Sequence, residues 1–235
     1  AQRIPRDLPT EIVSAFSGLE FQGTPNQLSK DHVDWEIISR VAEATANPQS
    51  GEGAFAAAEH PGLPHTTRPF YLPTAESSVP AAHIIRQRRS AVAFDGVRSL
   101  TKDQFCTMLD KTLPRDACAP FDLGLTVSCV HLLLFVHRVT GLEPGLYFLL
   151  RAERDLPALR RHCHRQFLWR AVDEALPLYL LQTGDFQSTA ASVSCQQSIA
   201  GDGAFSLGMI ARFREELETA PCRYRHLFWE SGMIG

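Results

Sequence analysis

Two stretches, Val130-His-Leu-Leu-Leu-Phe-Val-His137 and Gly145-Leu-Tyr-Phe-Leu-Leu150, set the architecture of this chain. Both are almost entirely apolar, as strands are when both faces of a sheet are covered. Between them lie Gly141 and Pro144, which are residues that form tight turns. We therefore predict that the two strands pair as an antiparallel hairpin.

Two histidines of the first strand share a face. His131 and His137 are six residues apart, and residues at even spacing point to the same side of a strand. A strand this apolar buries its polar side chains in satisfied hydrogen bonds. We predict structural roles for both histidines rather than a ligand site.

Helices and strands are predicted on both sides of the hairpin. Thr101 and Gln104 have the spacing of a capping box at the start of a helix that ends before Pro114. The predicted buried face of this helix consists of Phe105, Met108 and Leu109. Further along the chain we predict a helix over 156–167, a strand over 176–183 and a helix over 187–200.

The last part of the chain is predicted to be helical. A further helix is expected to bury Phe205, Leu207, Met209, Ile210 and Phe213, and a final element begins near Tyr224. Because strands and helices do not alternate strictly, we predict an α+β sandwich rather than a doubly wound fold. Its central, mainly antiparallel sheet is covered by helices.

Residues 1–80 differ in composition from the rest. They contain nine of the fifteen prolines, which favour extended or irregular backbone. We predict an extended linker or wrapping segment over 1–80 and a folded domain over 81–235. One amphipathic helix is predicted in the linker, capped by Ser29. Its apolar residues are Val33, Ile37, Ile38 and Val41.

The overall composition limits the function classes. A chain of 235 residues with 44% hydrophobic residues can form a sizeable folded domain. Its formal net charge of -3 gives no overall positive field, so nucleic acid is not an expected partner. Six cysteines without a C-x-x-C pair predict reduced thiols, as in the cytoplasm. We see no secretory signal, and the apolar run 127–136 is too short to span a bilayer, so no membrane partner is expected.

A cationic cluster opens the predicted domain. The stretch His83-Ile-Ile-Arg-Gln-Arg-Arg-Ser90 gathers three guanidinium groups and a hydroxyl where a short helix is predicted to end. Arginine presents a planar fork of donors that suits phosphate, so Arg88, Arg89 and Ser90 predict a site for a phosphorylated small molecule. The alternative is that the cations bind the last carbonyl groups of the helix.

Other polar and aromatic groups are given structural roles. His162 and His164 would point about 200° apart on a helix, so no metal site is predicted. The segment 195–203 is predicted to be a tight connection. Glu215, Glu216 and Glu218 are expected on a solvated helix face. Core packing is predicted for Phe205, Phe213, Tyr224, Phe228 and Trp229.

Taken in order, these motifs resemble the nitroreductase family. They are Ile85-x-x-Arg88-Arg89-Ser90-x-x-x-Phe94, the strand ending Val136-His-Arg-Val139, the turn Gly141-Leu-Glu-Pro-Gly-Leu-Tyr147, and Trp229-Glu-Ser-Gly-Met-Ile-Gly235. The similarity covers about residues 83–235. Within this family, the sequence is more similar to the branch of SagB-type dehydrogenases and tandem nitroreductase-like proteins.

The resemblance implies an FMN-dependent oxidoreductase. Two electrons would pass between NAD(P)H, or an organic substrate, and an acceptor; nitro compounds, quinones and azoline heterocycles in peptides are the family's substrate classes. Arg88, Arg89 and Ser90 would hold the flavin phosphate and ribityl chain, and Gln197 would line the pocket. No catalytic residue is assigned, because the flavin carries the chemistry. The resemblance also implies a homodimer or a tandem-domain pseudo-dimer, and further flavin contacts beyond Gly235.

A second interpretation stays open. The family commonly has arginine two residues after the serine, where this chain has Val92. It also commonly has Pro-Ser-Ala-Gly before the first long strand, where this chain has Pro120-Phe-Asp-Leu-Gly-Leu-Thr-Val-Ser128. Both departures are consistent with a degenerate domain that keeps the fold, lacks flavin and serves as a dimerisation or scaffold partner.

Overall fold

The chain divides into two compact units, Ala1–Ala46 and Asn47–Gly235. A computed structural model of the chain describes residues 10–20, 22–24, 27, 30–31, 33–46, 71, 79–115, 119–121 and 128–235.

The described part of the first unit forms two helices, α1 (Thr10–Ser17) and α2 (Glu36–Ala44). The sequence analysis predicted only one helix over this part of the chain, so α1 was missed. Helix α2 begins at Glu36, an acidic residue that complements the positive end of the helix dipole. The predicted cap, Ser29, lies outside the described residues.

The second unit combines strands and helices. Its described strands are β1 (Leu100–Thr101), β2 (Val130–Val136), β3 (Val139–Thr140), β4 (Gly145–Leu149), β5 (Arg170–Ala171), β6 (Leu178–Thr183) and β7 (Phe205–Ala211). Its described helices are α3 (Ala81–Gln87), α4 (Lys102–Asp110), α5 (Leu156–His162), α6 (Gln187–Val193), α7 (Ile199–Asp202), α8 (Phe213–Thr219) and α9 (Arg223–Ile234). None of the helices in the described ranges has the length and apolarity needed to cross a membrane.

Five strands form an antiparallel sheet in the order β5-β6-β4-β2-β7. The predicted hairpin is confirmed, since β2 pairs with β4 through Leu134 and Tyr147. A small parallel pair, β1 and β3, lies outside this sheet. The predicted α+β fold, with a mainly antiparallel sheet covered by helices, is therefore confirmed.

The core lies on both faces of the sheet. Leu132, Leu134 and Val136 of β2 pack in one cluster with residues of α4 and α9. Phe135 packs on the other face with Trp169 and Leu181, among others. Every fully buried side chain of this size contributes about 1.5–3 kcal/mol through the hydrophobic effect. Because β2 contributes buried side chains to the clusters on both faces, it is the central strand of the core.

Helix α4 begins as predicted. The Thr101 hydroxyl accepts the Gln104 amide at 3.2 Å, and the Gln104 side chain accepts the Thr101 amide at 3.0 Å, which completes a capping box. Phe105 and Leu109 are buried, but Met108 is 42% exposed and Cys106 takes its place. At 100° per residue, the stripe through the three buried residues is centred well away from Met108.

The prediction of a helix at Phe205 is wrong, because 205–211 forms strand β7. Leu207 and Met209 pair with Leu134 and Leu132 of β2 across the antiparallel ladder. Strand β2 pairs with β4 along one edge and with residues 205–211 along the other, and this pairing decides the conformation of 205–211. Helix α8 begins only at Phe213.

Two predicted helices end early. The helix predicted over 156–167 ends at His162, so His164 lies beyond it and the argument from helical spacing does not apply. The helix predicted over 187–200 is interrupted after Val193, because Cys195 and Gln196 adopt left-handed backbone at φ of 57° and 63°. No group of three potential metal ligands is found among the described residues.

Candidate functional site

The cationic segment follows α3 in extended backbone. Helix α3 ends at Gln87, and Arg88 leaves it with ψ of 136°. Arg88, Arg89 and Ser90 are all exposed. The guanidinium of Arg89 donates from Nη1 to the carbonyl of Arg86 at 2.8 Å and to the carbonyl of Arg88 at 2.9 Å. Arg89 therefore makes the helix-end contacts of the alternative interpretation. The Arg88 amide donates to the Ile84 carbonyl at 2.8 Å, and the Arg88 guanidinium has no hydrogen bond or ion pair with any described residue.

The segment carries an excess of positive charge. Its carboxylate, Asp95, forms an ion pair with Arg98 at 3.2 Å. Asp95 also accepts the amides of Val97 and Arg98 at 3.0 Å, and these bonds lower the pKa of its carboxyl group. Within the described ranges, no carboxylate pairs with Arg88 or Arg89. Among the described residues, the Arg88 guanidinium thus has no partner, and that of Arg89 has only backbone carbonyls.

Arg138 joins this segment to the turn after α7. Its Nη2 donates to the carbonyls of Asp202 and, at 2.9 Å, of Gly203, while its backbone carbonyl accepts the Leu100 amide at 3.2 Å. Its Nε lies 3.4 Å from the Arg98 carbonyl. Arg138 was not predicted as a site residue, because its partners lie 40 and 64 or more positions away along the chain.

Phe94 lies against the same turn. A side chain at Gly203 would begin 3.6 Å from the Phe94 ring, an ordinary contact distance, so the ring lies directly beside this glycine. Gly201 packs still closer, since an added Cβ would lie 2.8 Å from the Gln187 carbonyl. The turn is therefore fixed by close backbone packing of α7 on α6.

The predicted site residues are brought together only in part. The Phe94 end of the cationic segment reaches the turn at Gly203. Gln197 is exposed, and its amide donates to the Ser194 carbonyl at 3.1 Å. No contact joins its side chain to Arg88, Arg89 or Ser90 among the described residues.

The exposed segment combines charge with apolar surface. Ile85 and Val92 are among its most exposed side chains, and Phe94 is half-exposed. Guanidinium groups suit a phosphate, and an apolar and aromatic neighbourhood suits a flat organic ring. The segment therefore carries the two kinds of group that recognition of a phosphorylated aromatic molecule requires.

A second polar cluster lies inside the unit and is structural. His131 Nε2 lies 3.1 Å from Asp155 Oδ2, and its Nδ1 accepts the Arg151 amide at 3.1 Å. His137 Nε2 lies 3.1 Å from the Ala200 carbonyl. Both rings are buried, which confirms the prediction that these histidines are satisfied within the core.

Glu230 fastens α9 to the start of β2. Its carboxylate accepts the Ser128 hydroxyl at 2.8 Å, the Cys129 amide at 2.9 Å and the guanidinium of Arg151. Burial lowers the pKa of Arg151, and the adjacent carboxylate opposes this effect. Glu230 has no free edge for a ligand, so its role is to hold the fold.

Two expectations for α8 and α9 need correction. Glu216 is buried, because it pairs with Arg212 at 3.1 Å and with Arg223. Of the aromatic residues expected in the core, Phe213, Phe228 and Trp229 are about half-exposed. Tyr224 contacts Phe213 edge-to-face and Phe228 at a tilt, and these rings form a surface stripe rather than a core.

Neither of the two buried cysteines in the described part of the chain is an activated thiol. Burial raises the pKa of Cys106 to about 11 and that of Cys129 to about 12. Cys129 also lies beside Glu216 and Glu230, whose charges disfavour a thiolate further.

The fold was compared with those of known proteins. No family model matches the sequence, and no curated protein matches it. The crystal structure of a protein described as a "putative nitroreductase", from Anabaena variabilis, matches with a TM-score of 0.46 and 19% sequence identity. The match covers 64% of this chain and 28% of that one, so this chain spans little more than a quarter of that chain's length.

Proposed function

We propose that the chain is an FMN-dependent oxidoreductase similar to nitroreductases and SagB-type dehydrogenases. The observation that carries this proposal is the pair Arg88 and Arg89, which no described carboxylate neutralises. The pair lies on the exposed segment that leads to Phe94, and Phe94 lies against the turn at Gly203. The order of sequence motifs from Ile85 to Gly235 supports the same family.

The residues of this segment fit the phosphate end of FMN. A phosphate dianion needs charge-assisted donors, and two arginines followed by a serine hydroxyl supply them. Arg89 would exchange its contacts with backbone carbonyls for the phosphate oxygens. Bound FMN supplies hydride-transfer chemistry, while the protein binds and orients it. NAD(P)H is the proposed reductant, and a small molecule or a peptide is the proposed substrate.

The proposal includes assembly of two domains. A flavin held by an exposed segment needs a second surface to exclude water from the ring. A second copy of the chain, or a tandem partner domain, would supply it. The proposed location is the cytoplasm, in agreement with the free thiols of the described cysteines.

The test is the flavin itself. The purified protein should be yellow and should release FMN on denaturation. Removing one charge-assisted contact costs about 1.5–3 kcal/mol, so Arg88→Ala and Arg89→Ala should each weaken FMN binding by about tenfold to 150-fold. Arg161→Ala, at an exposed position of α5, is the matched control and should leave binding unchanged.

A flavin-free scaffold is the second candidate function. Two observations favour it: Val92, at a position where the family commonly has arginine, is 96% exposed, and the Arg89 guanidinium is folded back on its own backbone. A colourless protein that does not bind added FMN would support the scaffold and refute the oxidoreductase.

A further inference from the structure

Arg138, two positions after the end of β2, contacts both the cationic segment (residues 88–98) with the strand that follows it and the turn after α7. Its backbone carbonyl accepts the Leu100 amide at 3.2 Å, which holds the start of β1. Its guanidinium donates to the carbonyls of Asp202 and Gly203. Cations stabilise the C-terminal end of a helix by binding carbonyl groups of this kind. One residue thus holds two parts of the fold that are far apart in the sequence.

The backbone at the end of β2 holds the same turn independently of the Arg138 side chain. The amides of His137 and Arg138 both donate to the Ala204 carbonyl, at 3.0 and 2.9 Å. The His137 ring lies 3.1 Å from the Ala200 carbonyl in α7. Because these bonds do not involve the guanidinium, we expect the turn to stay attached to β2 when the Arg138 side chain is changed.

Phe94 lies between the two parts that Arg138 holds. A Cβ at Gly203 would lie 3.6 Å from the Phe94 ring, so the ring packs on the backbone of the turn. Four residues later, the Arg98 carbonyl lies 3.4 Å from Arg138 Nε. Arg138 therefore contacts the turn on which Phe94 packs and also the chain that follows Phe94. Phe94 is 51% exposed, so part of its surface remains for a ligand.

We propose that Phe94 packs against the flavin ring and that Arg138 is the residue that positions Phe94 for this contact. The inference rests on the proposed function and adds the ring end of the same site. Arg88 and Arg89 suit a phosphate because they are charged, whereas an aromatic side chain suits a flat ring. Phe94 follows Arg88 by six residues, which span at most about 20 Å in extended chain. The two ends of the segment can therefore hold the two ends of one elongated ligand.

FMN and riboflavin, which lacks the phosphate, separate the two ends of the site. Arg138→Met keeps an apolar stem and removes the donors. Phe94→Ala and Arg138→Met should each weaken binding of both ligands by about tenfold, the equivalent of one charge-assisted hydrogen bond or one aromatic contact. Arg88→Ala should weaken binding of FMN alone. Arg161→Ala, at an exposed position of α5, is the control and should change neither affinity. Quenching of flavin fluorescence measures all of these affinities.

Two further variants test how Arg138 acts. The ammonium group of Arg138→Lys can donate to both turn carbonyls that Nη2 contacts, so this variant should restore most of the affinity lost in Arg138→Met. If Arg138 acts by positioning Phe94, the double variant Phe94→Ala with Arg138→Met should bind FMN no more weakly than Phe94→Ala alone. Losses that add in the double variant would contradict this role.

The positioning is also measured without flavin, by hydrogen exchange of backbone amides. In the flavin-free chain, Arg138→Met should loosen the segment, so the Leu100 amide should lose protection against exchange. Arg138→Lys should restore this protection. The amides of the β2–β4 ladder are the internal control, and their unchanged exchange would show that the sheet persists in both variants.

Three results would overturn the role of Arg138: a Leu100 amide that Arg138→Met leaves protected, a loss of affinity confined to FMN, or additive losses in the double variant. If Phe94→Ala leaves both affinities unchanged while Arg88→Ala weakens FMN, the ring contact alone is refuted. If neither ligand binds the unsubstituted chain, the proposed function and the ring contact both fail. Hydrogen exchange then still decides whether Arg138 positions the segment.

Discussion

Glu230→Ala should strongly destabilise the second unit. The side chain of Glu230 is 7% exposed and that of its partner, Arg151, is 0% exposed. Removing the carboxylate leaves a buried guanidinium charge without a counter-ion, a change that costs about 3–5 kcal/mol. The Ser128 hydroxyl and the Cys129 amide lose their acceptor at the same time. With a urea m-value of about 2 kcal/mol/M, the unfolding midpoint should fall by about 1.5–2.5 M.

Equilibrium urea unfolding, followed by circular dichroism, measures this effect. Glu218→Ala, on the exposed face of α8, is the control and should change the free energy of unfolding by no more than about 0.5 kcal/mol. The double variant Glu230→Leu with Arg151→Met removes both charges and should be more stable than Glu230→Ala. A loss below about 1 kcal/mol for Glu230→Ala would show that the buried ion pair does not hold α9 in place.

Further changes test other parts of the second unit. Gly145→Ala would press its new methyl group against the Gln182 carbonyl and should lower the free energy of unfolding by about 1–3 kcal/mol. Gly232→Ala places a methyl group in open space on α9 and should raise the free energy of unfolding by about 0.5–1 kcal/mol. Equal effects of the two variants in urea unfolding would contradict the packing described for Gly145. Thr101→Ala removes the capping hydroxyl of α4 and should cost about 1 kcal/mol by the same assay. Burial lowers the pKa of His137 below its ordinary 6.5, so the unfolded state binds more protons and stability should decrease as the pH falls from 6.5 through the lowered value. His137→Gln should flatten the dependence of unfolding free energy on pH over this range.

The elements that depend on local pattern could be predicted from the sequence. The hairpin of β2 and β4 follows from two apolar runs separated by turn residues, and the start of α4 follows from a cap whose two partners are three residues apart. In these cases the deciding interactions lie within a short stretch of chain, and local propensity and burial agree.

Strand β7 shows where local pattern was misinterpreted. Phe205, Leu207 and Met209 alternate with period two, which is a strand pattern, but Ile210 and Phe213 also fit helical spacing. The conformation is decided by β2, whose free edge lies about seventy residues earlier along the chain and needs a partner. Glu216 was misassigned for a related reason, since its partner Arg223 lies on the next helix.

The candidate site could be predicted only as far as its local residues. Arg88, Arg89 and Ser90 are visible in the sequence because three residue types with one chemistry are adjacent. Arg138 could not be identified, because its function of tying the segment to the turn at Gly203 depends on carbonyl groups that carry no sequence pattern. An arginine two positions after the end of β2 was the available signal.

The bond from Glu230 to the Cys129 amide spans 101 positions and therefore bears on the order in which the protein folds during translation. The hairpin can close soon after it leaves the ribosome, since its partners are near in sequence. The contact between the start of β2 and Glu230 can form only after α9 has been synthesised. Closing so large a loop carries an entropic cost and slows folding. Until α9 emerges, we expect a nascent chain whose Arg151 stays hydrated and whose central strand is unfinished at one end.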